Sequence, residues 1–359
     1  MINTIEFNRN GMSTMIMNYY KHFNHNEVKV DFLVNKLIDS EFEKTIKQNG
    51  DNIFLYKNRN RYPLSYIKFL KSLAMNNGYD IVYVHGNSAT MAVEEFALRA
   101  VDTNIIIHAH GQTTNHPLLN FLLHPYFNKH YTAAFAASKH AGEFLFRKKP
   151  FTIINNGIEG EKFKFDASKR KLLRRRYNIE NSRVMLQVGG FTKQKNHDFT
   201  IKVVERLIQK DKSIKLLLAG QGPLEQEIKN KVSSLNLNEY VIFLGEASNL
   251  EELYSAADIL LFPSSWEPFG IVALEGQMAG LPVFVSDRFT EAVKVTKNIV
   301  YLPLDVGMWV NTISNTKSYR KLSDENLVLS LKNLGYDIED NEKQMMSLFY
   351  QIIRKKNEK

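Results

Sequence analysis

Thirteen short apolar runs, each separated from the next by polar turns or helical spacing, limit this chain more than any other feature. In the first half they are Met1 to Phe7, Val28 to Val34, Asn52 to Tyr56, Asp80 to His85, Asn104 to Ala109, Ala133 to Ala137 and Phe151 to Ile154. In the second half they are Val184 to Val188, Ile214 to Ala219, Tyr240 to Leu244, Asp258 to Phe262, Pro282 to Val285 and Asn298 to Leu302. Near-continuous apolar runs, rather than alternating ones, are what strands look like when both faces of a sheet are covered. Helices between them then lie on both faces of a parallel sheet, which makes the chain α/β. The segment Glu159 to Asn181 is strongly charged and has no such run, so the division between two domains is expected there. A length of 359 residues suits two cores. The expected domains are 1–160 and 161–337, each a doubly wound sheet. The tail 338–359 carries Met345, Met346, Leu348, Phe349, Ile352 and Ile353 in a charged background. That pattern is one amphipathic helix docking back on the N-terminal domain.

Composition narrows the partners. The chain has no cysteine, which excludes disulfides and thiolate metal sites and fits a cytoplasmic protein. Its apolar runs are too short to span a bilayer, and MINTIEFNRNG has no signal-peptide pattern. The formal net charge of +9 suits phosphates, anionic lipid or nucleic acid. Two basic stretches compete for that role. Lys169, Arg170 and Lys171 with Arg174, Arg175 and Arg176 read first as the solvated face of a helix; no aromatic residues interleave, so nucleic acid is not expected. Tyr56 to Leu73 mixes Lys and Arg with Tyr, Phe, Leu and Ile. It reads as a surface helix packed on the sheet, with an anionic membrane surface as the alternative.

In open α/β sheets, ligands bind beyond the carboxyl ends of strands. Gly11 lies in the loop after the first run, His85 at the end of the fourth, and His108 and His110 at the end of the fifth. His110 is the better candidate for a ligand because it is nearer the loop, with His108 as its alternative; either could equally be a hydrogen-bonded structural residue. No carboxylate follows at ligand spacing, so no metal is expected. In the second half, Gly189 and Gly190 open a loop that carries Lys193 and Lys195. Gly220 and Gly222 open another. Each is either a tight βα turn or a place where backbone approaches a ligand. Glu225 stands where the third glycine of a dinucleotide fingerprint would be, which argues against NAD or FAD. The run FPSSWEPFGIVALEGQMAGLPV holds Glu267 and Glu275 with seven residues between them. A helix beginning near Ile271 would place Glu267 in the preceding loop and Glu275 about one turn inside. The N–H groups of Gly270, Ile271 and Val272 would then be offered to an anion.

Taken in order, the E-x7-E pair, GQMAGLPV, VGGFTKQKNH, AGQGPL and NNGIEGEKF resemble glycosyltransferase family 4 across most of the chain. The resemblance implies the GT-B fold, two Rossmann-like domains facing across a cleft, and retention at the anomeric carbon. It implies a nucleotide-sugar donor, UDP expected, and no metal or other cofactor. By resemblance Glu275 holds ribose hydroxyls, Glu267 contacts the donor sugar, Phe269, Gly270, Ile271 and Val272 offer backbone amides to sugar and diphosphate, and Lys195 neutralises the leaving diphosphate. His110 acts near the transferred sugar, and Gly11 approaches the donor phosphate and acceptor. The implied acceptor is a glycan or lipid-linked oligosaccharide in surface polysaccharide assembly, made at the inner face of the cell membrane. Two features depart from the family: Gly190 stands where an arginine partner of Lys195 is usual, and the glycine-rich N-terminal loop is reduced to Asn10-Gly11-Met12. The first departure leaves room for a non-catalytic partner subunit of the same fold, and an epimerase of UDP-sugars is a further alternative.

Overall fold

The structure, a computed structural model, describes residues 1–8, 10–114, 116–247, 249–267, 269–316 and 326–358. Arg9 of the first turn and Pro268 of the loop between the two glutamates lie outside them. The chain forms two compact units, Met1–Gly157 with Ile338–Lys359, and Ile158–Asp337.

The first unit contains β1 (Ile2–Asn3), β2 (Phe32–Val34), β3 (Ile53–Leu55), β4 (Ile81–Gly86), β5 (Asn104–Ala109), β6 (Ala133–Ala136) and β7 (Thr152–Ile153). Around them lie α1 (Gly11–His22), α2 (Ser40–Gln48), α3 (Pro63–Asn77), α4 (Ala92–Leu98), α5 (Pro117–Phe127) and α6 (Lys139–Phe146). The sheet order is β3-β2-β1-β4-β5-β6-β7, with every pair parallel. The chain starts in the middle and winds outward twice, so the order reverses between β1 and β4. The first strand is much shorter than Met1 to Phe7. Asn3 is buried, donates to Ser13 Oγ at 3.0 Å and accepts from the N–H of Ile5 at 3.2 Å. That side-chain bond turns the chain out of the ladder, as Asx side chains commonly do. Gly11 consequently opens α1 instead of lying in a free loop, and Asn10 caps that helix through Ser13. The second strand is also shorter, beginning at Phe32 rather than Val28.

The C-terminal helix Ile338–Asn357 belongs to this first unit. Ile338, Met345 and Phe349 are buried in the cluster that holds Tyr83, Ile106 and Phe135. Each such side chain contributes roughly 1.5–3 kcal/mol on burial. Helix α3 seats Tyr66, Leu70 and Ala74 in the core on one stripe, so the basic stretch Tyr56 to Leu73 is mainly a helix packed on the sheet.

The second unit contains β8 (Arg183–Val188), β9 (Ile214–Ala219), β10 (Val241–Gly245), β11 (Ile259–Phe262), β12 (Val283–Ser286) and β13 (Ile299–Leu302). Its helices are α7 (Ala167–Arg176), α8 (His197–Lys210), α9 (Glu225–Ser234), α10 (Leu250–Ala256), α11 (Ile271–Met278), α12 (Val306–Asn315) and α13 (Asn326–Asn333). The order β10-β9-β8-β11-β12-β13 is again all parallel and reverses between β8 and β11. Both units are therefore Rossmann-like α/β sheets. The basic run of α7 departs from a solvated face. Arg170 and Arg174 clamp Asp258 at 2.6 and 2.5 Å, and their guanidinium groups also donate to the carbonyls of Ser255, Ala256 and Ala257. They satisfy the orphan carbonyls at the end of α10, so these two arginines are structural.

Candidate functional site

The order reversal of the second unit is where the sequence placed its candidate residues. Beyond β8 the loop carries Gly189, Gly190, Lys193 and Lys195; beyond β11 it carries Ser264 and Glu267. The two loops are tied directly. Ser265 N–H donates to the Gln194 carbonyl at 2.8 Å, and Gln194 Nε2 donates to the Trp266 carbonyl at 3.1 Å. Inside that frame Lys195 Nζ meets Glu267 Oε2 at 2.5 Å, with Ser264 Oγ 3.4 Å from the same oxygen. The lysine is held from behind. Gln187 Nε2 donates to its carbonyl at 2.7 Å, and Thr200 donates to Gln187 Oε1 at 2.6 Å. Gly189, at φ +151°, leaves the space that the lysine stem fills: a Cβ there would lie 3.2 Å from it. Lys193 is exposed and only its carbonyl faces this frame, at 3.5 Å from Ser265 Oγ.

Gly220 and Gly222 are explained by the neighbouring loop. A Cβ on Gly220 would lie 2.2 Å from the Gly189 carbonyl oxygen, and one on Gly222 would lie 2.6 Å from Phe191 N. The two βα loops pack backbone on backbone, with Phe191 N–H donating to the Gln221 carbonyl at 3.1 Å. Gly190 shares the tight fit, since its Cβ would stand 3.2 Å from the Gln221 carbonyl oxygen.

Helix α11 begins at Ile271, with Gly270 at φ +91° as its N-cap. A side chain at Gly270 would strike Phe289, so glycine is needed there twice over. The amides of Phe269, Gly270, Ile271 and Val272 have no acceptor among the described residues, whereas Ala273 N–H bonds back to the Gly270 carbonyl. Glu275 lies one turn in and is buried. Tyr254 on α10 donates to its Oε2 at 2.6 Å. Burial raises the Glu275 carboxyl to about 7, against the bond from Tyr254 and the charge of Lys162, which pull it down. Glu267 and Glu275 are thus held by different partners. The sequence reading missed Tyr254, Gln187 and Lys162; only Lys162 carried a signal, inside the segment NNGIEGEKF.

In the first unit the histidines form one cluster at the ends of β4 and β5. His85 Nδ1 and His110 Nε2 are 2.9 Å apart, and His108 Nδ1 lies 2.5 Å from Tyr83 Oη. The His108 and His110 rings stack at 4.2 Å. Burial holds His110 down to about 3 and His85 and His108 well below the ordinary imidazole range, so all three are neutral at pH 7. Three ring nitrogens lie within 4.8 Å of one another. Hydrogen bonds already occupy one nitrogen on each ring, and stacked rings do not converge on a point as metal ligands do. Gly11 has open space around its Cβ position, so nothing among the described residues demands glycine there.

Known proteins resemble the chain in both units. The family described as Glycosyltransferase Family 4 matches residues 9–162, and that described as Glycosyl transferases group 1 matches residues 169–334. A Bacillus subtilis (strain 168) protein carrying the name glycosyltransferase EpsF is 26% identical over 95% of this chain and 94% of its own. The Escherichia coli UDP-Gal:alpha-D-GlcNAc-diphosphoundecaprenol alpha-1,3-galactosyltransferase is 26% identical over 62% of this chain and 63% of its own. Among solved structures, Anabaena Alr3699/HepE in complex with UDP-glucose superposes with a TM-score of 0.79 at 17% identity, covering 98% of each chain.

Proposed function

Since the chain belongs to the family 4 and group 1 glycosyltransferases, we propose that it is a retaining enzyme that moves a hexosyl group from a UDP-sugar to an acceptor hydroxyl. The observation that carries this reading is the Lys195–Glu267 pair beside Gly270, the N-cap of α11, whose first amides have no acceptor among the described residues, with Glu275 one turn into the same helix. A nucleotide diphosphate sugar offers groups that suit each part. Diphosphate oxygens suit Lys195 and the amides of Phe269, Gly270, Ile271 and Val272. Ribose hydroxyls suit Glu275, whose Oε1 is not taken by Tyr254. Glu267 suits a hydroxyl of the donor sugar, and Lys193 offers a second cation at the rim. On this reading the C1–O bond to the diphosphate breaks while the acceptor oxygen bonds to C1 on the same face. The proton of the acceptor hydroxyl passes to the departing phosphate oxygen. Charge stabilisation of that leaving group then supplies most of the catalysis, with no metal required. His110 is assigned to the transferred sugar by family resemblance.

The named relative that acts on a diphosphoundecaprenol acceptor supports a lipid-linked acceptor and a role in surface polysaccharide assembly. The complex of HepE with UDP-glucose supports UDP as the nucleotide. Purified protein incubated with a panel of nucleotide sugars tests the reading. Release of UDP, with an α-configured product from an α-configured donor by NMR, is expected. No hydrolysis or transfer from any donor would favour a non-catalytic subunit, the reading that Gly190 in place of arginine keeps open.

A further inference from the structure

Helix α10 brings a second carboxylate to the neighbourhood of Glu275. Glu251 and Glu252 both stand in its first turn, where acidic side chains ordinarily face water and complement the helix dipole. Glu252 keeps to that role, accepting from Asn249 Nδ2 at 3.3 Å. Glu251 does not. Its Oε2 is buried and has no hydrogen-bond partner among the described residues. A carboxylate oxygen taken out of water without a donor is costly, so folding alone does not account for it.

Its position on the helix says what it faces. Tyr254 lies three residues further on, and residues at i and i+3 share one face of a helix. That face meets α11: the Tyr254 hydroxyl donates to Glu275 Oε2 at 2.6 Å, and both side chains are buried. The charge of Glu251 reaches both of them. Burial raises the Glu275 carboxyl, and Glu251 adds to that rise against the pull of Tyr254 and Lys162. Burial also raises the Tyr254 hydroxyl, with the charges of Glu275 and then Glu251 adding. The remaining neighbour is the one-turn helix Gly160–Phe163, whose Phe163 packs edge-on against Tyr254 at 5.8 Å and whose Lys162 is exposed.

A ribose presents two adjacent hydroxyls, hence two O–H donors. Tyr254 occupies one oxygen of Glu275 and leaves Oε1, while Glu251 Oε2 is the orphaned acceptor on the neighbouring helix. We propose that Glu251 is a second ribose-binding residue: Glu275 and Glu251 each accept from one hydroxyl of the nucleotide's cis-diol, and Tyr254 is the positioning residue that holds Glu275 for it. The assignment rests on the donor-site reading above and adds to it a preference for ribonucleotides over deoxyribonucleotides.

Calorimetric titration with UDP, 2′-deoxy-UDP and 3′-deoxy-UDP tests it, in EDTA so that no divalent ion bridges the two carboxylates. The wild type should bind UDP at least about tenfold more tightly than either analogue, the size of one charge-assisted hydrogen bond. Glu251→Ala, a substitution that suits a helix, should lose the preference for one hydroxyl and keep it for the other. Glu275→Ala should show the reverse. Glu251→Gln, which keeps an acceptor oxygen without the charge, should recover part of the lost preference. A wild type that binds UDP and both analogues alike, or a Glu251→Ala variant that keeps both preferences, would overturn the role of Glu251 and leave the donor site standing. A wild type that binds no UDP would overturn both.

Discussion

At the scale of single residues, proton positions follow from which atoms are left unpartnered. His85 Nε2 and His108 Nε2 are buried without a hydrogen-bond partner. A buried N–H with no acceptor costs more than a bare nitrogen, since orphaned donors are the rarer case in folded proteins. The proton of His85 therefore sits on Nδ1 and is donated to His110 Nε2. His110 in turn carries its proton on Nδ1 and is a hydrogen-bond donor toward any ligand. His108 donates from Nδ1 to Tyr83 Oη, and the tyrosine hydroxyl points to Met345 Sδ at 3.8 Å. Nitrogen-15 spectra of the histidine rings should show the Nδ1–H tautomer at His110, and His85→Phe should release it to the mixture usual in water. An Nε2–H at His110 in the wild type would contradict this account. The sequence could place His110 near a strand end; it could not show the His85 contact, because His85 lies on β4 and His110 just beyond the neighbouring β5, 25 residues away.

Among elements, the legibility of the fold follows burial. Strands β5 and β9, covered on both faces, begin and end where the apolar runs Asn104 to Ala109 and Ile214 to Ala219 do. Strands β1 and β2 do not, because the polar Asn3 turns β1 out of the ladder and residues 28–31 stay outside it before β2 begins at Phe32. Charge patterns mislead more than apolar ones. The basic run of α7 looks solvated locally, yet the partner of Arg170 and Arg174 is Asp258, which no spacing rule reaches. The link of α4 to the loop before α3 has the same character: Arg59 grips Glu94 at 2.5 and 2.6 Å, and Tyr66 donates to Glu94 at 2.8 Å, all buried. Removing one partner strands a buried charge, so Arg59→Ala should lower stability by about 3–5 kcal/mol in urea unfolding. Adding Glu94→Gln should recover part of that loss. A loss under about 1 kcal/mol in the single variant would mean the pair is not a buried clamp.

For the whole molecule, the shifted groups set a pH profile. His85, His108, His110 and His197 are held below 6.5 by burial, the last to about 4. Unfolding lets them take protons once the pH is below about 6.5, so their stabilisation is present above that value and lost as the pH falls. Two carboxyls oppose them. Burial raises Glu95 to about 9, with the charge of Glu94 adding, and raises Glu275 to about 7. Their stabilisation is present at low pH and lost as the pH rises from about 4.5 through those values. Four groups outweigh two below pH 6.5, and up to about pH 8 the carboxyls are opposed by the Met1 amino group, which burial lowers from 8.0 to about 5. The thermal midpoint should therefore be highest between about pH 6.5 and 8, fall toward pH 4.5 and fall more gently toward pH 9. A midpoint that climbs steadily to pH 9 would show that these carboxyls are already ionised in the fold.

The proposed donor site of the second unit is the centre of the account, and calorimetric titration with UDP tests it most directly. The wild type should bind. Lys195→Ala should lose a charge-assisted contact of about 1.5–3 kcal/mol, roughly ten- to a hundredfold in Kd. Glu275→Ala should weaken binding independently, and wild-type affinity should rise as the pH passes about 7 and the Glu275 carboxyl ionises to accept ribose hydroxyls. Unchanged UDP affinity in both variants would contradict the assignment of this site.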